Sequence, residues 1–463
     1  MNALTCFKAY DVRGRLGVDL DAGIAYRIGR GFARALSARR VVVGRDVRAS
    51  SEELAAAVTE ALVDEGCEVL DLGLSGTEEM YFATSHFDAD GGLCVTASHN
   101  PMDYNGMKMV RAGSAPLDAE SGLARIRALA EADDWGAVTE GGRRRDVTEG
   151  GRRRDVAEEA RLAYVARVLS FVDLSALKPL KILVNAGHGA AGPTFDALAA
   201  RLEALGAPLR FTRMHHAPDG SFPEGIPNPL LPENRPPTAE AVRAAGADFG
   251  VAWDGDFDRA FFFDHEGTFI DGEYVVGLLA EAFLAKTPGA TVIHDPRIIW
   301  NTQDVVARAG GQAVQARTGH AFVKQAMRDQ NAVYGGEMSA HHYFRDFCFC
   351  DSGMIPLLLV AELVSAGKPL ATLVEARKSA FPSSGEINFT LPDPAAAIAR
   401  VRAAFEPRAE GVDETDGLGL DMGNWRFNLR SSNTEPIVRL NVEAHGDARL
   451  VEEGVKKIKG LLT

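Results

Sequence analysis

The chain alternates. Short runs of apolar, β-branched residues are followed by stretches with helical spacing, over and over, and few folds tolerate that rhythm. "RRVVVGRD" ends at Asp46 and reads as a buried strand; "SEELAAAVTEALVDEGC" follows with a serine cap and apolar residues at helical spacing; "EVLDLGL" is the next strand. The rhythm returns at "KILVNAG", "GPTFDALAARLEALG" and "PLRFTRM", and again at "TVIHDP", "NTQDVVARAG" and "QAVQAR". Alternation of this kind predicts α/β units with largely parallel strands. The likeness between units is one of pattern, without a residue-level repeat. After about residue 378 the order changes. "GEINFTL" reads as a strand, "PAAAIARVRAAFE" as a helix, "WRFNLR" and "IVRLNVEA" as paired strands and "DARLVEEGVKKIKGLL" as a closing helix, which predicts a small α+β domain.

A chain of 463 residues with 46% hydrophobic content exceeds one domain; length alone suggests roughly three or four. The boundaries expected are 1–155, 156–270, 271–378 and 379–463. The nonapeptide "TEGGRRRDV" occurs at 139–147 and again, unchanged, at 148–156. Having almost no apolar content, it is expected to be an exposed linker in which extra length costs little.

A net charge of −14 argues against nucleic acid or an anionic membrane as partner. An anionic substrate would need a local cluster of arginine and lysine. The five cysteines, Cys6, Cys67, Cys94, Cys348 and Cys350, are odd in number and form no CxxC, so neither a disulfide framework nor a zinc site is expected. "FCFC" puts Cys348 and Cys350 on one side of a predicted strand. The N-terminus has no apolar signal region, and "MIPLLLVAELV" is too short to span a bilayer. A cytoplasmic protein is expected.

Four polar knots interrupt the apolar pattern. In "GGLCVTASHNP", Ser98 follows a strand beside His99 and Asn100; it suits a nucleophile or phosphate carrier, and equally a helix cap. The G-x-S-x-G elbow of hydrolases is absent. Lys108, ten residues on, could supply charge or a proton. In "VAWDGDFDRA", Asp254, Asp256 and Asp258 repel one another unless a cation sits among them, and Mg²⁺ is the natural one. Arg259 and His265 stand where an EF-hand needs Gly and Glu. In "GGEMSAHHYF", Glu337, Ser339 and His341 alternate, so an extended segment would aim them one way, toward sugar hydroxyls; a buried polar patch or a simple turn fits the motif as well. In "NLRSSNTEPIVRL", Arg430, Ser432, Asn433 and Thr434 form a loop between two strands, either a phosphate cradle or an ordinary hairpin turn; Arg430 and Arg439 favour the anion.

With these four motifs in this order and spacing, the chain closely resembles the α-D-phosphohexomutases over its whole length, and within them the bacterial branch acting on mannose phosphate. "KAYDVRG" and "TGH" fit as well. The resemblance implies an α/β fold of four domains around a central cleft, three mixed α/β domains of similar topology and a C-terminal α+β domain. It implies that Ser98 is phosphorylated, that Asp254, Asp256 and Asp258 hold one Mg²⁺ with the serine phosphate, that Glu337 and Ser339 grip sugar hydroxyls, and that Arg430, Ser432, Asn433 and Thr434 hold the idle phosphate. Tyr10, Arg13, His99, Lys108, Arg259, Arg297, His320 and His341 match further cleft residues of the family. Lys108 and His320 would be the acid–base pair, helped by Arg13, with Arg259 neutralising charge at the serine. Arg317 stands where many relatives carry lysine before "TGH", which alters reach and donor geometry.

The implied reaction interconverts mannose 6-phosphate and mannose 1-phosphate through a hexose 1,6-bisphosphate, accepting some glucose phosphate. The alternatives are a main activity on glucose phosphate, or a metal-dependent sugar phosphatase. The partner expected is a phosphosugar alone, without nucleic acid or membrane, on a monomer or weak homodimer.

Overall fold

The computed structural model describes residues 3–135, 151–431 and 437–462. They divide into two compact units, residues 1–268 with 346–367, and residues 269–345 with 368–463.

In the first unit the strand Arg40–Arg45 carries Val41, Val42 and Val43, none more than 1% exposed. Apolar residues on both faces mark a strand covered on both sides. It pairs in parallel with Glu68–Leu74 on one edge and Gly91–Val95 on the other. The helices Ala22–Leu36 and Ser51–Asp64 bury Ile28, Phe32, Leu54, Val58 and Leu62 in one core against this sheet. Tyr104–Arg111 returns antiparallel to Gly91–Val95, with Lys108 opposite Cys94. Val12–Arg15 lies beyond it, with Arg13 opposite Gly106.

A second sheet in this unit repeats the plan. Leu180–Asn185 pairs in parallel with Leu209–Met214 and Phe249–Trp253, and Ala260–Asp264 returns antiparallel to the last. In the second unit Thr291–His294 pairs in parallel with Gln312–Gln315 and Tyr334–Gly336, and His342–Phe344 returns antiparallel. All three sheets share one topology: two neighbouring parallel strands, a third beside the first, and an antiparallel return. The turn into that return carries Ser98 in the first sheet, Asp254–Asp258 in the second and Glu337–His341 in the third. Each follows the carboxyl end of a parallel strand, where α/β sheets place their ligands.

The chain ends in an antiparallel sheet ordered Ser383–Thr390, Ile437–Ala444, Trp425–Ser431, Leu418–Asp421, Gly411–Asp413. The helices Pro394–Phe405 and Ala448–Leu462 close a core of Val401, Phe405, Leu429, Leu440 and Ile458 over it.

Two expectations need correction. The second copy of the duplicated nonapeptide is more than linker: Arg152–Asp155 forms an edge strand parallel to Glu68–Leu74. An edge strand needs ladder hydrogen bonds, not apolar faces, and ion pairs from Arg152 to Glu68 (2.7 Å) and from Arg153 to Asp71 replace the missing burial. Val156 then anchors the exit, 2% exposed, its N–H donating to the Asp71 carbonyl at 2.9 Å. The first copy, 139–147, lies outside the described residues. Cys348 also fails to share a strand with Cys350: Cys348 and Phe349 adopt φ of 57° and 56°, which breaks an extended ladder.

All five cysteines are free thiols. "MIPLLLVAELV" lies in the mostly buried helix Met354–Ser365, and among the described residues no single helix is long and apolar enough to cross a membrane.

Candidate active site

Ser98 has a left-handed backbone, φ 49°. A non-glycine residue there costs about 1–3 kcal/mol and persists only where its surroundings over-determine it. They do so here. The Ser98 N–H donates to Thr96 Oγ1 at 2.8 Å. The buried Arg48 donates to the Ser98 carbonyl at 3.0 Å, the Pro101 carbonyl at 2.9 Å and the Tyr104 carbonyl at 3.2 Å, and also to that of Asn100. Asp46 steadies Arg48 by accepting its backbone N–H at 3.0 Å. Gly255 lies against the loop from the second sheet: a Cβ there would sit 2.7 Å from the Ser98 carbonyl oxygen, so only glycine fits. The outcome is an aimed hydroxyl. Ser98 Oγ donates to Asp254 Oδ2 at 2.7 Å and lies 3.0 Å from His99 Nδ1.

Asp254, Asp256 and Asp258 are each fully buried, and one oxygen from each lies within 4.8 Å of the others. Burying ionised carboxylates is expensive unless they are paired. Arg259 pairs with Asp254 Oδ2 through Nε at 2.9 Å and Nη2 at 2.7 Å, and also touches His99. Lys108 Nζ lies 2.9 Å from Asp256 Oδ2 and bonds Asp258. Thr77 Oγ1 donates to Asp256 Oδ2 at 2.6 Å. Burial works against the Lys108 ammonium, but the carboxylates of Asp256 and Asp258 outweigh it and hold the group above its ordinary pKa. Burial likewise works against ionised Asp256, yet Lys108 and Thr77 keep it well below the usual carboxylate range. Two cationic side chains thus face three carboxylates. The Oδ1 atoms of Asp254 and Asp256 are buried with no hydrogen-bond partner among the described residues. Convergent hard oxygens with a charge deficit fit a divalent cation.

Arg13 donates to Asp11 at 3.1 Å and to the Thr96 carbonyl, two residues before the serine. Tyr10 lies half-buried in the bend leading to Arg13.

In the second unit, Glu337–His341 is a turn, one of the readings the motif leaves open, and not an extended segment. The Glu337 N–H donates to the His341 carbonyl at 3.0 Å, and Ala340 takes φ 71° to close the hairpin. Alternation along the chain therefore does not aim the three side chains together. The turn still gathers a site. Glu337 accepts from the Gly319 N–H at 3.0 Å and from the Tyr343 hydroxyl at 2.5 Å, which brings the head of the helix His320–Asp329 beside it. Arg297, 3% exposed, donates to Ser339 Oγ at 3.1 Å, pairs with Asp295 and lies 3.6 Å from Glu337. His341 ends the turn, its ring 6.0 Å from that of Tyr343. Arg430, at the end of Trp425–Ser431, donates to Glu386 at 3.0 Å, and Arg297 lies 3.6 Å from the same oxygen. Ser432, Asn433 and Thr434 lie outside the described residues.

Lys108 and His320, expected to share proton transfer, belong to different units. Three contacting residues escaped the motif reading: Arg48, Thr77 and Glu386. "GRDVR" at 44–48, a polar run after an apolar strand, was the available signal for Arg48.

Family models for the phosphoglucomutase/phosphomannomutase α/β/α domains I, II and III match residues 5–136, 162–267 and 271–381, and that for the C-terminal domain matches 386–460. A phosphomannomutase of Salmonella montevideo is 58% identical over 463 residues, the full length of both chains. A protein of Xanthomonas campestris described as "Phosphohexose mutases" is 55% identical over 99% of each chain. A crystal structure of a phosphoglucomutase/phosphomannomutase family protein from Burkholderia thailandensis superposes with a TM-score of 0.85 at 32% identity, covering 100% of this chain and 98% of that one.

Proposed function

The chain belongs to the phosphoglucomutase/phosphomannomutase family, and on that premise we propose that it interconverts mannose 6-phosphate and mannose 1-phosphate through phosphorylated Ser98 and a bound hexose 1,6-bisphosphate. The observation that carries this reading is the aimed serine: Ser98 Oγ sits 2.7 Å from Asp254 Oδ2, at the edge of three buried carboxylates that are short of positive charge.

Phosphoryl transfer asks for in-line positioning and neutralised charge more than for covalent help. In the first half-reaction the free sugar hydroxyl attacks the phosphorus on Ser98, the P–Oγ bond breaks, the hydroxyl proton leaves through His320, and the Lys108 ammonium returns a proton to Oγ. In the second half Ser98 Oγ gives up its proton and attacks the opposite phosphate of the bisphosphate, the bond from that phosphorus to the sugar oxygen breaks, and the sugar oxygen takes a proton, which leaves the serine phosphorylated again and the sugar with its phosphate at the other position. Arg259 supplies fixed positive charge, and His99 and Arg13 keep the serine loop and its surroundings in place. Asp254, Asp256 and Asp258 would hold Mg²⁺ with the serine phosphate; bound there, the ion neutralises charge that develops on the transferring group. Glu337, Ser339 and His341 read the sugar hydroxyls with Tyr10, and Arg297, Arg430, Ser432, Asn433 and Thr434 take the phosphate that is not reacting.

Mannose and glucose differ at the C2 hydroxyl alone, so groups that read other hydroxyls separate them poorly. The Xanthomonas relative, described as "Phosphohexose mutases" with no single hexose named, fits a reading in which the sugar is not sharply selected. A sugar phosphatase would need no second phosphate grip and would release inorganic phosphate. The domain limits at 155, 270 and 378 belong to the same reading.

Intact mass of the purified protein, before and after phosphatase treatment, tests it. One phosphate mapping to Ser98, and exchange of label between bisphosphorylated hexose and protein, are expected. Ser98→Ala should fold and lose nearly all turnover. A turnover-competent S98A protein, or release of phosphate in place of isomerisation, would overturn the reading.

A further inference from the structure

Glu386 is surrounded by arginines. It lies on the strand Ser383–Thr390 with its side chain 10% exposed. Its Oε2 accepts from Arg430 at 3.0 Å and lies 3.6 Å from Arg297 Nη1; its Oε1 lies 3.8 Å from Arg439 Nε. Arg430 and Arg439 stand directly opposite each other on neighbouring strands. Like charges so placed are destabilising unless an anion offsets them. Arg297 also has Asp295 and Arg430 has Asp416 at 3.5 Å, but among the described residues Glu386 is the carboxylate that reaches all three guanidiniums.

The cluster still holds donors in reserve. Nε of Arg430 and Nε of Arg439 are buried without an acceptor among the described residues. A phosphate entering the cluster could take those donors, and it would share the arginines with Glu386.

We propose that Glu386 is a positioning residue that serves as a built-in counter-anion, aligning Arg297, Arg430 and Arg439 when no phosphate is present and weakening their grip so that a bisphosphorylated sugar can let go and turn. This rests on the reading that Arg297 and Arg430 take the distal phosphate. A bisphosphate held too tightly would gain ground-state binding that is lost from turnover. A cradle with its own competing carboxylate keeps the arginines ordered and the hold reversible.

Glu386→Gln keeps the shape and an acceptor oxygen but removes the charge. It should lower both KM for mannose 1-phosphate and the inhibition constant of inorganic phosphate by about fivefold, the scale of one charge at roughly 4 Å with the full screening of water, and should lower kcat by a similar factor. Glu386→Asp retains the charge and should keep phosphate inhibition within about threefold of wild type. An E386Q protein with unchanged or raised KM and unchanged phosphate inhibition would overturn the proposal, even with kcat reduced, since a structural role alone would give that result. Arg430→Gln separates the two ideas. If R430Q raises KM while E386Q leaves it unmoved, the cradle stands and the counter-anion falls. If R430Q changes neither KM nor phosphate inhibition, the cradle itself is wrong and Glu386 loses its role with it.

Discussion

Arg48 holds Ser98 by the backbone: its guanidinium donates to the serine carbonyl at 3.0 Å, and the same group reaches the carbonyls of Asn100, Pro101 and Tyr104. One side chain thus pins the whole turn at the left-handed serine. Arg48→Ala should leave the serine loop unclamped and the buried Asp46 short of its cation. A cost of about 3 kcal/mol in unfolding free energy is expected, with kcat lowered about 100-fold by a displaced nucleophile and KM little changed. Arg48→Lys keeps the charge but cannot span four carbonyls, so it should restore part of the stability and little of kcat. Denaturant unfolding and steady-state kinetics on the two variants check this, and R48K with wild-type kcat would refute the clamp.

Such a contact leaves no trace in a local pattern, which explains where sequence reading stops. The run Val41–Val43 was legible because a strand covered on both faces must be apolar throughout. Asp254, Asp256 and Asp258 were legible because three carboxylates that close together demand a cation. Glu337, Ser339 and His341 were ambiguous, since alternation looks the same in a strand and in a hairpin turn until one residue, here Ala340, takes a left-handed φ. Arg152–Asp155 was hidden because an edge strand needs no apolar side chain. Arg48 and Glu386 were hidden because their partners lie about fifty residues or more away, or on adjoining strands, and no spacing rule joins them.

Lys108 stands between two fully buried carboxylates, 2.9 Å from Asp256 and in contact with Asp258. Lys108→Ala should therefore destabilise the metal-free protein by about 3 kcal/mol, because two buried charges lose their counter-ion. A divalent cation bound by the same carboxylates would replace part of that charge. Mg²⁺ should raise the melting temperature of K108A more than that of wild type, and EDTA should reverse the gain. Equal shifts in both proteins would mean that the cation does not neutralise Asp256 and Asp258.

Glu273 sits 1% exposed at the start of the helix Gly272–Lys286, accepting from the Ser383 hydroxyl. Burial, with Asp271 and then Glu443 nearby, pushes its carboxyl from the ordinary 4.5 up to about 8. The folded protein therefore holds this proton where the unfolded chain gives it up. The stability it confers is complete below about pH 4.5, falls as pH rises, and is gone above about pH 8. Glu273→Gln, permanently neutral, should flatten that fall: unfolding free energy measured from pH 5 to pH 8.5 should drop less for E273Q than for wild type. Parallel profiles would show that the carboxyl is already ionised in the folded protein at neutral pH.

The two copies of "TEGGRRRDV" are identical, so deleting either gives the same polypeptide. In wild type the described strand Arg152–Asp155 comes from the second copy, and Val156 runs from it straight into the helix Ala157–Leu169. The first copy would meet the same edge with nine extra residues before that helix, which is why the second has the advantage. Removing 139–147 should then cost nothing: the remaining copy keeps the pairs to Glu68 and Asp71 and the Val156 anchor. Removing 139–156 should expose the Glu68–Leu74 edge and leave Glu68 and Asp71 without their arginines, with a clear fall in melting temperature. Thermal unfolding and kcat of the two deletion variants decide the matter. A loss of activity on removing 139–147 alone would give the duplication a role of its own.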